Sequence, residues 1–366
     1  MLILNDQKTS PEKKPVKWQI VLLAGVLVGA LLVLGIFGIV RLASRPKIPS
    51  DVPTNVEVLP DDPEKTPLFS GASTNLSLSF DGADTPSVSG NVAILADLSS
   101  GKVLAAKDVD TRYEPASLTK VMTLIVACER LAKEDLDEKV TMTEEIYNYA
   151  RAGGYKGASV FSLDPGDTLT LRDLLYGSGV QSLADCTILL VRKLAESEEE
   201  FVGWMNDKAK ALGMKNTHFD NAIGYESEGN YSTASDLVRM INYALQCDLI
   251  KEILSKPSYE FYFDGYNKAG EWKEGFHGTF FSTLFNANGS GRIADYEKTI
   301  GKKFSLARGN FGGGKTGSLK FEGKWAYSLI SFAEIDGKTY VSVVGNSASS
   351  AGLMTDVKSL YDTYAK

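Results

Sequence analysis

The sequence predicts an α+β domain in which an antiparallel sheet is built from both ends of the folded region, with a helical region inserted between them. Three observations carry this. Asn91–Leu98 and Val103–Ala106 are apolar-leaning runs around the turn Ser99-Ser100-Gly101-Lys102, a β-hairpin pattern. Far along the chain, Trp325–Ile335 and Thr339–Asn346 flank Asp336-Gly337, a strong two-residue hairpin signal. Between the hairpins, the stretches 117–133, 171–196, 198–212 and 233–254 carry helical periodicity. A last helix is expected over 351–364, with Leu353, Met354, Val357, Leu360, Tyr361 and Tyr364 on one side. Strands from both ends around central helices are the pattern of an α+β fold rather than a parallel α/β one.

At 366 residues and 43% hydrophobic content, the chain has apolar material for one large core or two modest ones. A net charge of −7 leaves no basic footprint for nucleic acid. Cys128, Cys186 and Cys247 are odd in number and far apart. They read as small buried hydrophobes rather than as metal ligands or a disulfide framework.

Four segments follow from composition: 1–17, a short polar lead; 18–40, a membrane span; 41–88, a tether; and 89–366, the folded domain. Trp18–Val40 has Gln19 as its only strongly polar residue. At 1.5 Å per residue such a helix is about 35 Å long, enough to cross a bilayer core of about 30 Å. It is longer than a cleavable signal's apolar region and is followed by Arg41 and Arg45, so an uncleaved anchor is expected. Lys8, Lys13, Lys14 and Lys17 precede it, and the positive-inside rule leans towards a cytoplasmic amino terminus. The domain would then be extracytoplasmic and held to the cell membrane by a single pass. Seven of twelve prolines lie in the tether, interleaved with Asp, Ser, Thr and Gly, a composition that favours extended chain.

His218 and His277 are the only histidines, and neither GxSxG nor HExxH occurs. A histidine-activated serine hydrolase and a zincin are thereby disfavoured, and a serine enzyme here would need another base, usually lysine. Ser-x-x-Lys occurs four times, starting at Ser10, Ser44, Ser99 and Ser117. Only Ser117-Leu118-Thr119-Lys120 is expected to open a buried helix, where positions i and i+3 share a face. The same four residues also fit a serine helix cap followed by an unrelated lysine. Gly309–Thr316 satisfies the P-loop pattern letter for letter. The strand-like Trp325–Ile330 that follows denies it the helix that a phosphate cradle requires.

With Lys315-Thr316-Gly317 added, the domain resembles the low-molecular-mass penicillin-binding proteins, the serine-type D-alanyl-D-alanine carboxypeptidases of the S11 peptidase family. Pro115–Lys120 matches the nucleophile motif, Asp173–Gly177 the helix entering the second motif, and Lys315–Gly317 the third. Lys215–Phe219 and Tyr231–Asp236 match two further family stretches. The resemblance implies a β-lactamase/transpeptidase-like fold and removal of the terminal D-alanine from cell-wall peptides through an acyl-enzyme. It implies Ser117 as nucleophile, Lys120 as base, and Ser182 as proton relay to the leaving group. Lys315, Thr316, Gly317 and Ser318 would form the substrate-binding strand. No metal or organic cofactor is implied; the partners are the peptidoglycan stem peptide and β-lactams as covalent inhibitors.

One departure stands out. The family's second motif is Ser-Gly-Asn-Asp, and the aligned residues are Ser182-Leu183-Ala184-Asp185. Leu183 is expected to crowd the cleft, and loss of the asparagine amide at Ala184 is expected to slow acylation. An alternative is a non-catalytic wall-peptide or β-lactam binding module with the same fold.

Overall fold

The computed structural model describes residues 67–69, 71, 76–153, 155, 157–161, 163–266, 270–321 and 323–366. The expected span at 18–40 lies outside these residues; among the described ones, no helix is long and apolar enough to cross a membrane.

The strands are β1 (Val92–Asp97), β2 (Val103–Lys107), β3 (Lys139–Thr141), β4 (Thr168–Thr170), β5 (Ser258–Tyr266), β6 (Trp272–Phe281), β7 (Asn310–Phe321), β8 (Lys324–Ile335) and β9 (Lys338–Ser347). The helices are α1 (Lys120–Arg130), α2 (Glu144–Asn148), α3 (Leu171–Gly179), α4 (Ala184–Leu194), α5 (Glu198–Ala211), α6 (Ala234–Ala244), α7 (Asp248–Ser255), α8 (Arg292–Ile300) and α9 (Ser350–Tyr364). The main sheet has the order β2-β1-β9-β8-β7, and all its pairs are antiparallel.

The sheet is buried on both faces, and the period of two along β1 shows how. Val92, Ile94 and Ala96 join the larger core with α1, α4 and α6; Ala93 and Leu95 point the other way, into a second core with α9. The expected closing helix supplies that second core through Leu353, Met354, Val357, Leu360 and Tyr361.

Two expectations need correction. The middle of the chain is not only helical: β3-β4-β5-β6 form a second antiparallel sheet, most of it from the aromatic-rich segment after α7. The long helical stretches are also broken. One divides into α3 and α4 around Ser182, which adopts φ +63°, and another into α6 and α7. Periodicity does not reveal such breaks, because both halves bury the same kind of apolar face.

The last part of the proline-rich stretch also has a place. Val103 N–H donates to the Ser79 carbonyl at 2.8 Å and Ala106 N–H to that of Asp84 at 2.8 Å, so residues 79–84 cover the open edge of β2. Phe69 is buried against Tyr243, with ring centroids 4.8 Å apart.

Candidate active site

The cleft lies where the Ala116–Thr119 3₁₀ turn meets the outer edge of β7. It encloses about 390 Å³ and is lined by Ser117, Lys120, Ser182, Thr316 and Ser318 among others. The position before Ser117 is strained: Ala116 sits at φ +50°, a region a Cβ disfavours. Two glycines permit the packing around this turn. A Cβ on Gly317 would stand 2.9 Å from the Pro115 carbonyl oxygen, and one on Gly224 1.7 Å from that of Ala116. Gly317 thus lets β7 run directly behind the Ser117 turn.

The geometry gives the helix-cap reading of Ser117 no support. Neither the turn nor α1 shows a side-chain cap bond, so Ser117 caps nothing. Lys120 is 2% exposed, and its Nζ donates to the Ile223 carbonyl at 2.8 Å and to Ser117 Oγ at 3.3 Å. Burial pushes its pKa down from 10.5 to about 7, with the Asp185 carboxylate opposing. An amine with that proton affinity is available as a base at neutral pH.

Across the cleft, Lys315 Nζ donates to Ser182 Oγ at 2.9 Å and to the Thr316 carbonyl at 3.0 Å. Burial, then the nearby Lys120 and Arg292, hold Lys315 well below the ordinary lysine range. Cation repulsion therefore acts mainly on Lys315, while Lys120 owes its shift to burial. All seven residues singled out from the sequence converge on the Ser117 turn, the Ser182 break and β7.

The second motif corrects one expectation. Leu183 is fully buried in the larger core and does not narrow the cleft. Ala184 N–H donates to the Ser159 carbonyl at 2.7 Å, and the Asp185 carboxylate accepts from Phe161 N–H at 3.0 Å. The motif thus fastens the 157–161 loop, which forms one wall. His218 is structural: its Nδ1 lies 2.7 Å from the Gly229 carbonyl, and its backbone forms an isolated antiparallel bridge with Tyr231. The P-loop look-alike lies largely in β7 and opens no helix.

Two residues were not anticipated. Thr283 Oγ1 lies 2.6 Å from Thr316 Oγ1, and Arg292 of α8 donates to Ser318 Oγ. Arg292 stacks over the Tyr327 ring at 4.5 Å, and its buried Nε has no hydrogen-bond partner among the described residues. No local pattern marks Arg292; its only signal is the turn Asn288-Gly289-Ser290-Gly291 that delivers it.

Residues 80–277 match the family profile described as D-alanyl-D-alanine carboxypeptidase, more than half of the chain. The chain is 36% identical over 170 residues to the Bacillus subtilis D-alanyl-D-alanine carboxypeptidase DacF, covering 46% of this chain and 42% of that protein. It is 38% identical over 183 residues to Escherichia coli DacA, covering 49% and 45%. The chain thus spans about half the length of the curated relatives it matches. Among solved structures, the Streptomyces K15 DD-transpeptidase superposes with a TM-score of 0.63 at 27% identity, over 76% of this chain and 98% of that one. The ordered motifs, the cleft they build and these matches agree, and the chain belongs to the D-alanyl-D-alanine carboxypeptidase family of serine peptidases, S11.

Proposed function

We propose that this protein is a serine D,D-carboxypeptidase that removes the terminal D-alanine from cell-wall stem peptides through an acyl-enzyme. The observation that carries this reading is the buried Lys120 amine, depressed to about 7 and within hydrogen-bond reach of the cleft-lining Ser117.

In this mechanism neutral Lys120 takes the Ser117 proton as Oγ attacks the penultimate D-alanine carbonyl. The tetrahedral oxyanion is held by the backbone N–H groups of Ser117 and Ser318. Ser182, whose oxygen already accepts from Lys315, gives its proton to the leaving amine as the C–N bond breaks and takes in its place the proton that Lys120 received from Ser117. D-alanine departs, and water hydrolyses the ester to regenerate Ser117. Thr316, Ser318, Lys315 and Arg292 form a cationic, hydroxyl-rich cradle for the terminal carboxylate. Gly317 keeps the strand close enough for that contact. β-Lactams would acylate the same serine. No step calls for a metal or organic cofactor.

A non-catalytic module is supported by Ala184 alone, and the intact Ser117–Lys120 and Ser182–Lys315 pairs weigh against it. The 18–40 segment would anchor the enzyme, with residues 41–88 leading to an extracytoplasmic domain, where its substrate lies.

The deciding experiment is labelling with fluorescent penicillin, followed by assay of D-alanine release from a wall pentapeptide. Wild type should be labelled and active, and Ser117→Ala unlabelled with its melting temperature nearly unchanged. Equal labelling of the mutant would move the nucleophile elsewhere. Labelling without D-alanine release would favour the binding module.

A further inference from the structure

The turn that holds Lys120 is itself held from behind. The Ile223 carbonyl accepts from Lys120 Nζ at 2.8 Å, and the adjacent Ala222 carbonyl accepts from Thr123 Oγ1 at 2.6 Å. On its far side, Ala222 N–H donates at 2.8 Å to Glu198, the first residue of α5. Glu198 is 8% exposed and has no ion-pair partner among the described residues. Its carboxylate instead accepts from the phenols of Tyr149 at 2.7 Å and Tyr155 at 2.6 Å. Tyr155 packs edge-on against Tyr225, which lines the cleft beside Ile223. A buried carboxylate with three donors is tightly oriented, and losing one partner costs more than the bond gains.

We propose that Glu198 is the positioning residue for the candidate base Lys120: its carboxylate fixes the turn whose Ile223 carbonyl holds the Lys120 amine in register with Ser117. This rests on the reading of Lys120 as base, but its test need not. The charged groups facing Lys120 are Asp185 from α4, which opposes its downward shift, and Lys315 from β7, which Lys120 itself holds down. Around the Glu198 network they are Tyr149, Tyr155 and Arg192, the last paired with Glu145, and on the turn itself the exposed Glu226.

Two effects of losing Glu198 have opposite signs. Removing a negative charge alone would lower the proton affinity of Lys120. Releasing the turn admits water to the amine and raises it towards the ordinary lysine value. Glutamine retains one acceptor oxygen for Ala222 N–H but cannot match the carboxylate for both phenols, so its effect should be intermediate.

The test is a pH titration of full-length protein labelled with ¹³C at lysine Cε, the Lys120 signal assigned by its loss in Lys120→Met. Wild type, Glu198→Gln and Glu198→Ala are compared, with acylation by a chromogenic β-lactam measured over the same range. The expected result is an upward order of Lys120 midpoints, wild type lowest and alanine highest by about 1 pH unit. The ascending limb of acylation should move with it, and acylation at pH 7 should fall roughly tenfold in the alanine variant. Lower thermal stability with an unmoved or lowered midpoint would overturn the proposal and leave Glu198 a packing residue. If Glu198→Ala does not fold, Glu198→Gln decides alone, and a wild-type midpoint there overturns it. If wild type is not acylated, the catalytic reading fails, while the Lys120 midpoints still decide the role of Glu198.

Discussion

Replacing Lys120 by methionine separates what this lysine does for chemistry from what it does to stability. Methionine is of similar length, so the perturbation removes an amine and little volume. The native amine is brought from 10.5 to about 7 by burial. At about 1.4 kcal/mol per factor of ten in proton affinity, that is roughly 5 kcal/mol of bias against the ammonium. The folded value lies below the unfolded one, so between about pH 7 and 10.5 the unfolded chain keeps a proton that the folded chain has released. Wild-type stability therefore rises with pH across that window, and the full penalty is present below pH 7. Against this, methionine leaves the Ile223 carbonyl without its donor, costing about 1–3 kcal/mol. Lys120→Met should thus be more stable than wild type by about 2–4 kcal/mol below pH 7. The advantage should shrink above pH 7 by about 1.4 kcal/mol per pH unit and change sign between about pH 8.5 and 10. Relief of the buried Lys315, which Lys120 repels, adds to the gain at low pH. Urea unfolding of both proteins in mild detergent from pH 6 to 10 measures this, alongside penicillin labelling, which should vanish. A stability difference that does not change with pH would refute the account of Lys120 as a buried, neutral amine.

Arg292→Leu should lower kcat/KM for a wall pentapeptide by roughly ten- to a hundredfold, the value of a charge-assisted bond to the terminal carboxylate. Amidating that carboxylate should have little further effect in the mutant; an unchanged kcat/KM would remove Arg292 from the carboxylate cradle. Leu183→Gly should destabilise the fold by about 3–5 kcal/mol, because Leu183 fills core rather than cleft. Ala184→Asn alone should raise β-lactam acylation by about tenfold if the missing amide limits it, and an equal rate would show that it does not. Deleting residues 1–43 should release a soluble, folded protein from membranes; full-length protein in a salt-washed soluble fraction would count against the anchor.

Much of this protein can be read directly from its sequence. Both terminal hairpins, the closing helix and the motifs at Ser117 and Lys315 depend on local signals: alternation, a Gly-containing turn, or fixed spacing along one turn of helix. Such features are encoded by neighbours in the chain, so they survive without knowledge of the fold. The second sheet was missed because β3 and β4 are three residues each, too short to show a period, and β5 and β6 lie in an aromatic-rich stretch without clean alternation. Leu183 was misplaced because its neighbours Ser182 and Ala184 belong to the motif, while its own direction is set by the backbone turn at Ser182. Thr283, Arg292 and Glu198 bond Thr316, Ser318 and Ala222 across 33, 26 and 24 positions of chain, and no spacing rule links them. The sequence determined which residues could do the chemistry. Only the tertiary structure decided that Lys120 is dry, that the Ile223 carbonyl holds it, and that an arginine lines the cleft, because burial and approach across long chain separations are properties of packing.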